Sequence, residues 1–514
     1  MRKSVFLIVV IALSACNYYP STTKAAATPN TIDITNTSMP PSSIPPTEMH
    51  LPPVIVDPNT MNHKLLMGYQ GWFTCPGDGA NTGWFHWFKD DIPDAAHFRV
   101  DMFPDASELT PEERCETGMK YPNGETAPLY SAYNPKTVMR HFQWMSDYEI
   151  DGIFLQRFVG ELADPIYSNQ RNIVLKNVRA AAEAHGRVFA IMYDISGMDS
   201  TTLIEEVEHD WKYLTNILKV TESPAYLRHD GKPVLAIWGL GFNGRPGTPG
   251  QAMELVNFFK NNDEQKYEVT LMGGVPTWWR ELKNDSLTDP AWADYYCALD
   301  VISPWTVGRY STDSEVDQYR SVMEADMKRV AECGAQYMPV VFPGTAFHND
   351  SGSPFNSTPR RGGELYWRQV HNAVSIGVPM IYNAMFDEVD EGTAMYKIAA
   401  TKNDQPAGVD LISMDTDGVK LPNDWYLRLA GAATKMLRGE IPNTERIPLN
   451  PDGSLVSTFP TVEPTPVQFK ARIQITTTSD WTTLSMLSGG QLSGVEIISS
   501  NSEGDASFDD LTFT

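Results

Sequence analysis

The sequence predicts an α/β fold, a (β/α)8 TIM barrel, with a long insertion after the first strand and a small all-β appendage at the end. Three observations carry this. Eight short apolar runs, rich in Val, Ile, Phe and Tyr and mostly without strict alternation, read as strands buried on both faces. Amphipathic stretches separate them, which is the repeated βα order of a parallel sheet. From the second run onward they recur every ~30–45 residues, close to the length of a barrel unit. An open doubly wound sheet is the competing architecture, and eight units favour closure.

The elements follow in chain order. Arg2 and Lys3 precede a short apolar stretch, 5–12, and Leu13-Ser14-Ala15-Cys16 closes it with small residues before a cysteine. Too short to span a bilayer, residues 1–15 read as an export signal. Leu-Ser-Ala-Cys resembles the lipobox of bacterial lipoproteins, which implies that Cys16 carries a lipid and anchors the chain in the cell envelope, at its surface or on its periplasmic face. Residues 16–60 come next, and positions 17–60 hold nine Pro, eight Thr and four Ser. Such a segment buries too little apolar surface to offset its ordering entropy, so it reads as a disordered tether.

The barrel is expected over 61–440, its strands in the runs 66–73, 152–159, 188–195, 233–240, 269–275, 301–307, 337–342 and 379–386. Asn134-Pro135 reads as an N-cap with Pro in the first helical position, and Val138, Phe142 and Met145 follow at helical spacing. Stretches 172–185 and 315–333 stop at Gly186 and Gly334, where a left-handed C-cap is wanted. The gap between the first two runs is longer than the others by about 50 residues. This insertion, 74–133, carries Cys75, Cys115, Trp84, His86 and Trp87. A last helical pattern, 425–438, ends at Gly439; a Pro-rich linker, 441–466, leads to short β segments in 467–514.

Composition narrows the chemistry. With 64 acids against 40 bases, a net charge of -24 and no basic cluster, nucleic acid is not an expected partner, and a neutral ligand fits better. In an exported chain a disulfide between Cys75 and Cys115 is expected, since both lie in the insertion, whereas Cys297 and Cys333 sit among apolar residues and read as buried thiols. No HExxH, GxSxG or GxxxxGK pattern occurs, and no metal or cofactor is expected.

A barrel builds its active site where the strands end, so the polar and aromatic residues at the ends of the runs are the candidates. These are Tyr69, Gln70 and Trp72; Gln156 and Arg157; Tyr193 and Asp194; Trp238; Trp278; Trp305 and Arg309; Phe347 and His348; then Asp387, Glu388, Asp390 and Glu391. Four acids in five residues repel one another, a cost retained where carboxylates are used. Paired carboxyl groups cut glycosidic bonds, and exposed Trp rings stack on sugar faces. Arg360-Arg361 reads either as a clamp on a hydroxyl or carboxylate or as a surface ion pair. The sequence thus points to a carbohydrate ligand, bound for hydrolysis or, alternatively, captured by a lipid-anchored barrel without catalysis.

Gly68-Tyr69-Gln70-Gly71-Trp72-Phe73, the run beginning at Pro233, and Phe386-Asp387-Glu388-Val389-Asp390-Glu391-Gly392-Thr393 together resemble the glycoside hydrolase family 71/99-like barrels. The resemblance spans about 62–438 and is most specific in Glu388-x-x-Glu391-Gly392-Thr393. It implies the chemistry of the family 99 endo-α-mannosidases and endo-α-mannanases, which cleave with retention. Glu388 would act as the base on the substrate's own 2-hydroxyl and Glu391 as the general acid. Tyr69, Gln70, Trp72, Gln156, Tyr193, Asp194, Trp238, Trp305, Arg309, His348 and Asp387 are the residues expected to line the sugar site. The chain departs from the family at Val389 and Asp390, where the family has aromatic and His residues, and an extra acid there changes the charge beside the pair.

Overall fold

The structure, a computed structural model, describes residues 54–261 and 265–456. The export signal, Cys16, the tether up to residue 53, the end of the linker and the β segments of 467–514 lie outside the described residues. The strands are β1 (Leu65–Tyr69), β2 (Gly152–Phe158), β3 (Val188–Asp194), β4 (Arg228–His229), β5 (Lys232–Trp238), β6 (Thr270–Val275), β7 (Val301–Pro304), β8 (Gln336–Tyr337), β9 (Val340–Val341) and β10 (Ile381–Asn383). Around them stand α1 (Pro135–Asp147), α2 (Pro165–His185), α3 (Leu203–Asn216), α4 (Pro249–Lys260), α5 (Trp292–Ala298), α6 (Asp313–Glu332), α7 (His348–Ser351), α8 (Glu364–Ser375) and α9 (Trp425–Leu437).

Among the described residues the sheet runs β8-β7-β6-β5-β3-β2-β1-β10-β9, parallel throughout, and only the two-residue β4 pairs antiparallel, with β5. The two ends of this path belong to one segment. Met338 donates its amide to Ile302 of β7 (3.0 Å), and the carbonyl of Pro339 accepts from Tyr382 of β10 (3.0 Å). Residues 336–341 are therefore a single barrel strand, and the ladder is interrupted only where Pro339 has no N–H to give. Eight parallel strands close on themselves, the architecture that the run spacing predicts.

Local chemistry explains the helix ends. The Asn134 side chain accepts from the Lys136 amide at 3.0 Å and caps α1, with Pro135 next in the chain. Asp164 caps α2 likewise, so this helix starts seven residues before the expected 172. Gly186 and Gly334 take left-handed backbone (φ 62° and 72°) after α2 and α6. The barrel interior is tight at Gly68 of β1, where any side chain would run into Met385 and the Tyr382 hydroxyl.

Two boundaries and one cysteine pair differ from expectation. Residues before 61 already bond to the barrel: Val56 donates to the Gly186 carbonyl (2.9 Å) and the Pro58 carbonyl accepts from Arg228 (2.6 Å). At the other end the segment expected to be linker lies against α8 as far as residue 445, with Trp367 donating to the Thr444 carbonyl (2.9 Å). Cys75 and Cys115 form a disulfide inside the insertion, and Cys297 and Cys333, read as buried thiols, form a second one. In the latter pair the end of α6 comes back onto α5, with Cα atoms 4.9 Å apart.

Candidate active site

The acid turn after β10 is fixed from four directions. The Phe386 amide donates to the Gly68 carbonyl of β1 (2.7 Å), and the Glu388 carbonyl accepts from the Thr393 and Ala394 amides (both 3.1 Å), which curls the chain. Gly392 has φ 67°, and a Cβ there would stand 2.9 Å from the Ala346 amide nitrogen, so this glycine is required. From the insertion, the Asp101 and Met102 amides donate to the Val389 carbonyl (3.0 and 3.2 Å). From the loop after β9, Ala346 and the Thr345 hydroxyl donate to the Glu391 carbonyl (2.9 and 2.8 Å). Beneath lies Arg360, buried over the Tyr426 ring, its Nη2 donating to the Gly392 and Ala394 carbonyls (2.9 and 2.6 Å). The clamp expected of Arg360 thus holds backbone, while Arg361 makes the surface ion pair, with Asp313 (2.7 Å).

Each acid of the turn has a different environment. Asp387 is fully buried and accepts from the Gln70 and Gly71 amides (2.7 and 2.9 Å), tying the end of β1 to β10; burial pushes its carboxyl up to about 7. Glu388, 3% exposed, accepts from the Gln70 side-chain amide through Oε1 and from the Thr393 hydroxyl through Oε2 (2.6 Å). Burial, and then the charges of Glu391 and Asp390, hold it well above the usual carboxylate range. Asp390 pairs with His86 Nδ1 at 2.8 Å. The Glu391 carboxyl accepts no hydrogen bond from any described residue, and burial, reinforced by Asp390 and Asp194, pushes it up to about 8.

Because the four carboxyls are raised together, the turn retains protons near neutral pH. Two donors point at Glu388 and favour its ionised form, while burial and the neighbouring charges oppose it; Glu391 has no such donor among the described residues.

Several predicted residues come together around this pair. Gln70 touches Glu388 directly. Gln156 points into the barrel and donates to the Tyr382 hydroxyl (3.0 Å), which lies within electrostatic reach of Glu388 and Asp194. Trp238 and Trp305, both half-buried, meet edge to face at 5.6 Å, and Trp305 adjoins Tyr382 at 6.2 Å. Arg245 lies over the Trp238 ring at 5.3 Å and moderates the rise of Asp194 and Glu391. Trp72 is buried, stacked between Phe158 and His86, and its indole N–H finds no partner among the described residues. The site therefore carries alternating amide, carboxyl and ring surfaces, suited to hydroxyl groups and sugar faces.

Other expected residues are not presented to a ligand. Tyr69 and Tyr193 are fully buried on the helix side of the sheet, bonded to His141 (2.8 Å) and Asp210 (2.7 Å). Arg157 also faces that layer and forks onto Asp210 (2.6 Å). Asp387 is occupied by backbone amides, as described above. Arg309 is exposed and held by Asp285 (2.8 Å), and His348 bonds the Ser353 carbonyl (2.8 Å). Trp84 and Trp87 are core. Period-two alternation separates these sets: along β3, Met192 reaches the barrel interior, so Tyr193 must face the helices and Asp194 the interior. The same count finds Tyr382, which selecting strand ends alone passed over.

No protein-family model matches the sequence, nor does any curated protein. Among solved structures the chain superposes on the GH99 endo-α-mannosidase from Bacteroides thetaiotaomicron. One structure of that protein gives a TM-score of 0.53 at 15% identity, and a second, in complex with BIS-TRIS-propane, gives 0.52 at 16%. The fold is that of the family 99 glycoside hydrolases. Each match covers 74% of this chain and 99% of that one, so the family 99 fold is matched along its whole length. Among the described residues no group of three or more His, Cys, Asp or Glu could hold a metal ion, and no helix is long and apolar enough to cross a membrane.

Proposed function

We propose that the protein is a retaining glycoside hydrolase acting on a neutral glycan, with Glu391 as the acid and Glu388 as the base. The supporting observation is the asymmetry of the pair on one turn after β10: Glu388 is buried and held by two donors, whereas Glu391 is partly exposed and, among the described residues, held by none. Glu391 gives its proton to the departing glycosidic oxygen as the bond to the anomeric carbon breaks. Glu388 takes the proton of the sugar's 2-hydroxyl, whose oxygen closes on that carbon. Water, deprotonated by Glu391, then opens the anhydro ring while Glu388 returns its proton, and both groups regain their starting states. An α-mannoside of the kind named for the solved neighbour is the first substrate to try.

Incubating the exported portion with α-mannans, α-glucans and xylans is expected to release reducing ends from one class. Binding without release from any of them would favour the alternative, a barrel that captures glycan without cutting it. The reading extends to location, with a lipid on Cys16 holding the enzyme in the cell envelope. Cys16→Ser is expected to move most of the protein from the membrane to the soluble fraction, and an unchanged membrane fraction would remove the anchor from the account.

A further inference from the structure

Asp390 is the acid by which the turn departs from the family pattern, and its partner comes from outside the barrel. His86 belongs to the insertion, has left-handed backbone (φ 64°), and meets Asp390 with Nδ1 at 2.8 Å; the two side chains are 15% and 5% exposed. Its imidazole lies flat on Trp72 (3.6 Å between centroids, 7° between planes), with the edge of Phe85 against it at 4.5 Å. Trp72 rests on Phe158, and Arg171 covers Phe158 at 5.1 Å. Such a column fixes the ring and its donor direction, and a non-glycine residue in left-handed backbone persists only where its surroundings enforce it. Burial, with the charges of Arg99 and Arg171, keeps His86 well below its ordinary range, so it is neutral and donates Nδ1–H to Asp390. Among the described residues the other Asp390 oxygen is buried without a hydrogen-bond partner, and the side-chain hydrogen bond that holds this carboxylate comes from the insertion.

We infer that Asp390, gripped by His86, is a positioning residue for the proposed reaction: its charge keeps the transferable proton on Glu391, and the insertion keeps that charge in place. The inference rests on the reading of Glu391 as proton donor. The groups acting on Asp390 are Glu388 and Glu391 on its own turn, His86 and Arg99 from the insertion, and Asp350 from α7, which pairs with Arg99 at 2.9 Å. Asp390 sits at about 7 and Glu391 at about 8. The Asp390 charge resists loss of the Glu391 proton. The same charge raises Glu388. Without it both members of the pair ionise at lower pH, and both limbs of the pH–rate bell slide downward.

The test is the pH–rate profile of three variants. Asp390→Asn is expected to slide the whole bell to lower pH by about one unit. His86→Phe keeps a ring on Trp72 but removes the donor, and is expected to slide it in the same direction. His86→Asn, whose side-chain N–H can replace Nδ1–H, is expected to restore the position of the bell. A bell that loses height without sliding, or one that slides upward, overturns the inference and leaves Asp390 a merely structural residue. Infrared titration separates this outcome from failure of the hydrolase reading, since the carboxyl band that disappears in Glu391→Gln needs no substrate. If that band titrates at lower pH in Asp390→Asn while no glycan is cut, the coupling stands and the hydrolase reading falls. If it does not move, the coupling falls whatever the activity.

Discussion

Glu391→Gln and Glu388→Gln are each expected to lower glycan hydrolysis by about 10²–10⁴-fold, the contribution of one general acid or base. Both substitutions are isosteric, and the fold should tolerate them. In Glu388→Gln the new amide oxygen can still accept from Gln70, and the Thr393 hydroxyl can turn from donor to acceptor; in Glu391→Gln no hydrogen bond to the carboxyl is lost. The two variants differ on an aryl glycoside whose leaving group needs no proton. There Glu391→Gln is expected to recover much of its first-step rate and Glu388→Gln is not, because the 2-hydroxyl still needs a base. Initial rates on both substrates, with glycan affinity measured alongside, decide this. Near wild-type turnover in either variant on the natural glycan would remove that residue from the chemistry.

Asp387→Ala is expected to be the most damaging stability change in the site. It strands the Gln70 and Gly71 amides in a buried position and unties β1 from β10, with each orphaned group costing ~1–3 kcal/mol. Asp387→Asn keeps one acceptor oxygen and should lose about half as much. The pH dependence has a definite sign. The folded-state carboxyl, at about 7, lies above its ordinary value of 3.8, so the folded wild type binds more protons than the unfolded chain between these values. Wild-type stability from this group is fully present at low pH and declines as pH rises through about 7. The gap in melting temperature between wild type and Asp387→Ala should therefore be wider at pH 4 than at pH 8. A gap that is absent at both would mean that the two amides are satisfied elsewhere. Because Gln70 also holds Glu388, the variant should lose activity even at temperatures where it stays folded.

Most of the barrel was legible because its signals are local. Apolar runs set the strands, Asn134-Pro135 set the start of α1, and Gly186 and Gly334 set two helix ends. Pairing across the barrel was not visible in the same way. Cys297 and Cys333 read as apolar-flanked thiols because a 36-residue separation says nothing about α6 returning onto α5. The acid turn stood out by its charge density, but the roles of its members depend on distant donors: Gln70 lies 318 residues from Glu388, and His86 lies 304 from Asp390. Tyr69 and Tyr193 failed for a nearer reason. Lying at a strand end places a residue at the correct height, and only the alternation of faces says whether it looks into the barrel or out to the helices.

The joint at Pro339 governs more than the shape of the sheet. Since residues 336–341 bond to β7 on one side of Pro339 and to β10 on the other, the described sheet has no spare row of amides and carbonyls for a foreign strand to pair with. The same joint delays assembly. β10 joins β1 across more than 300 residues, and its other neighbour is the segment that must also reach β7, so the ring completes only after nearly the whole chain is present. Until then the sheet has open edges, and the last piece to seal it, β10, leads directly into the acid turn.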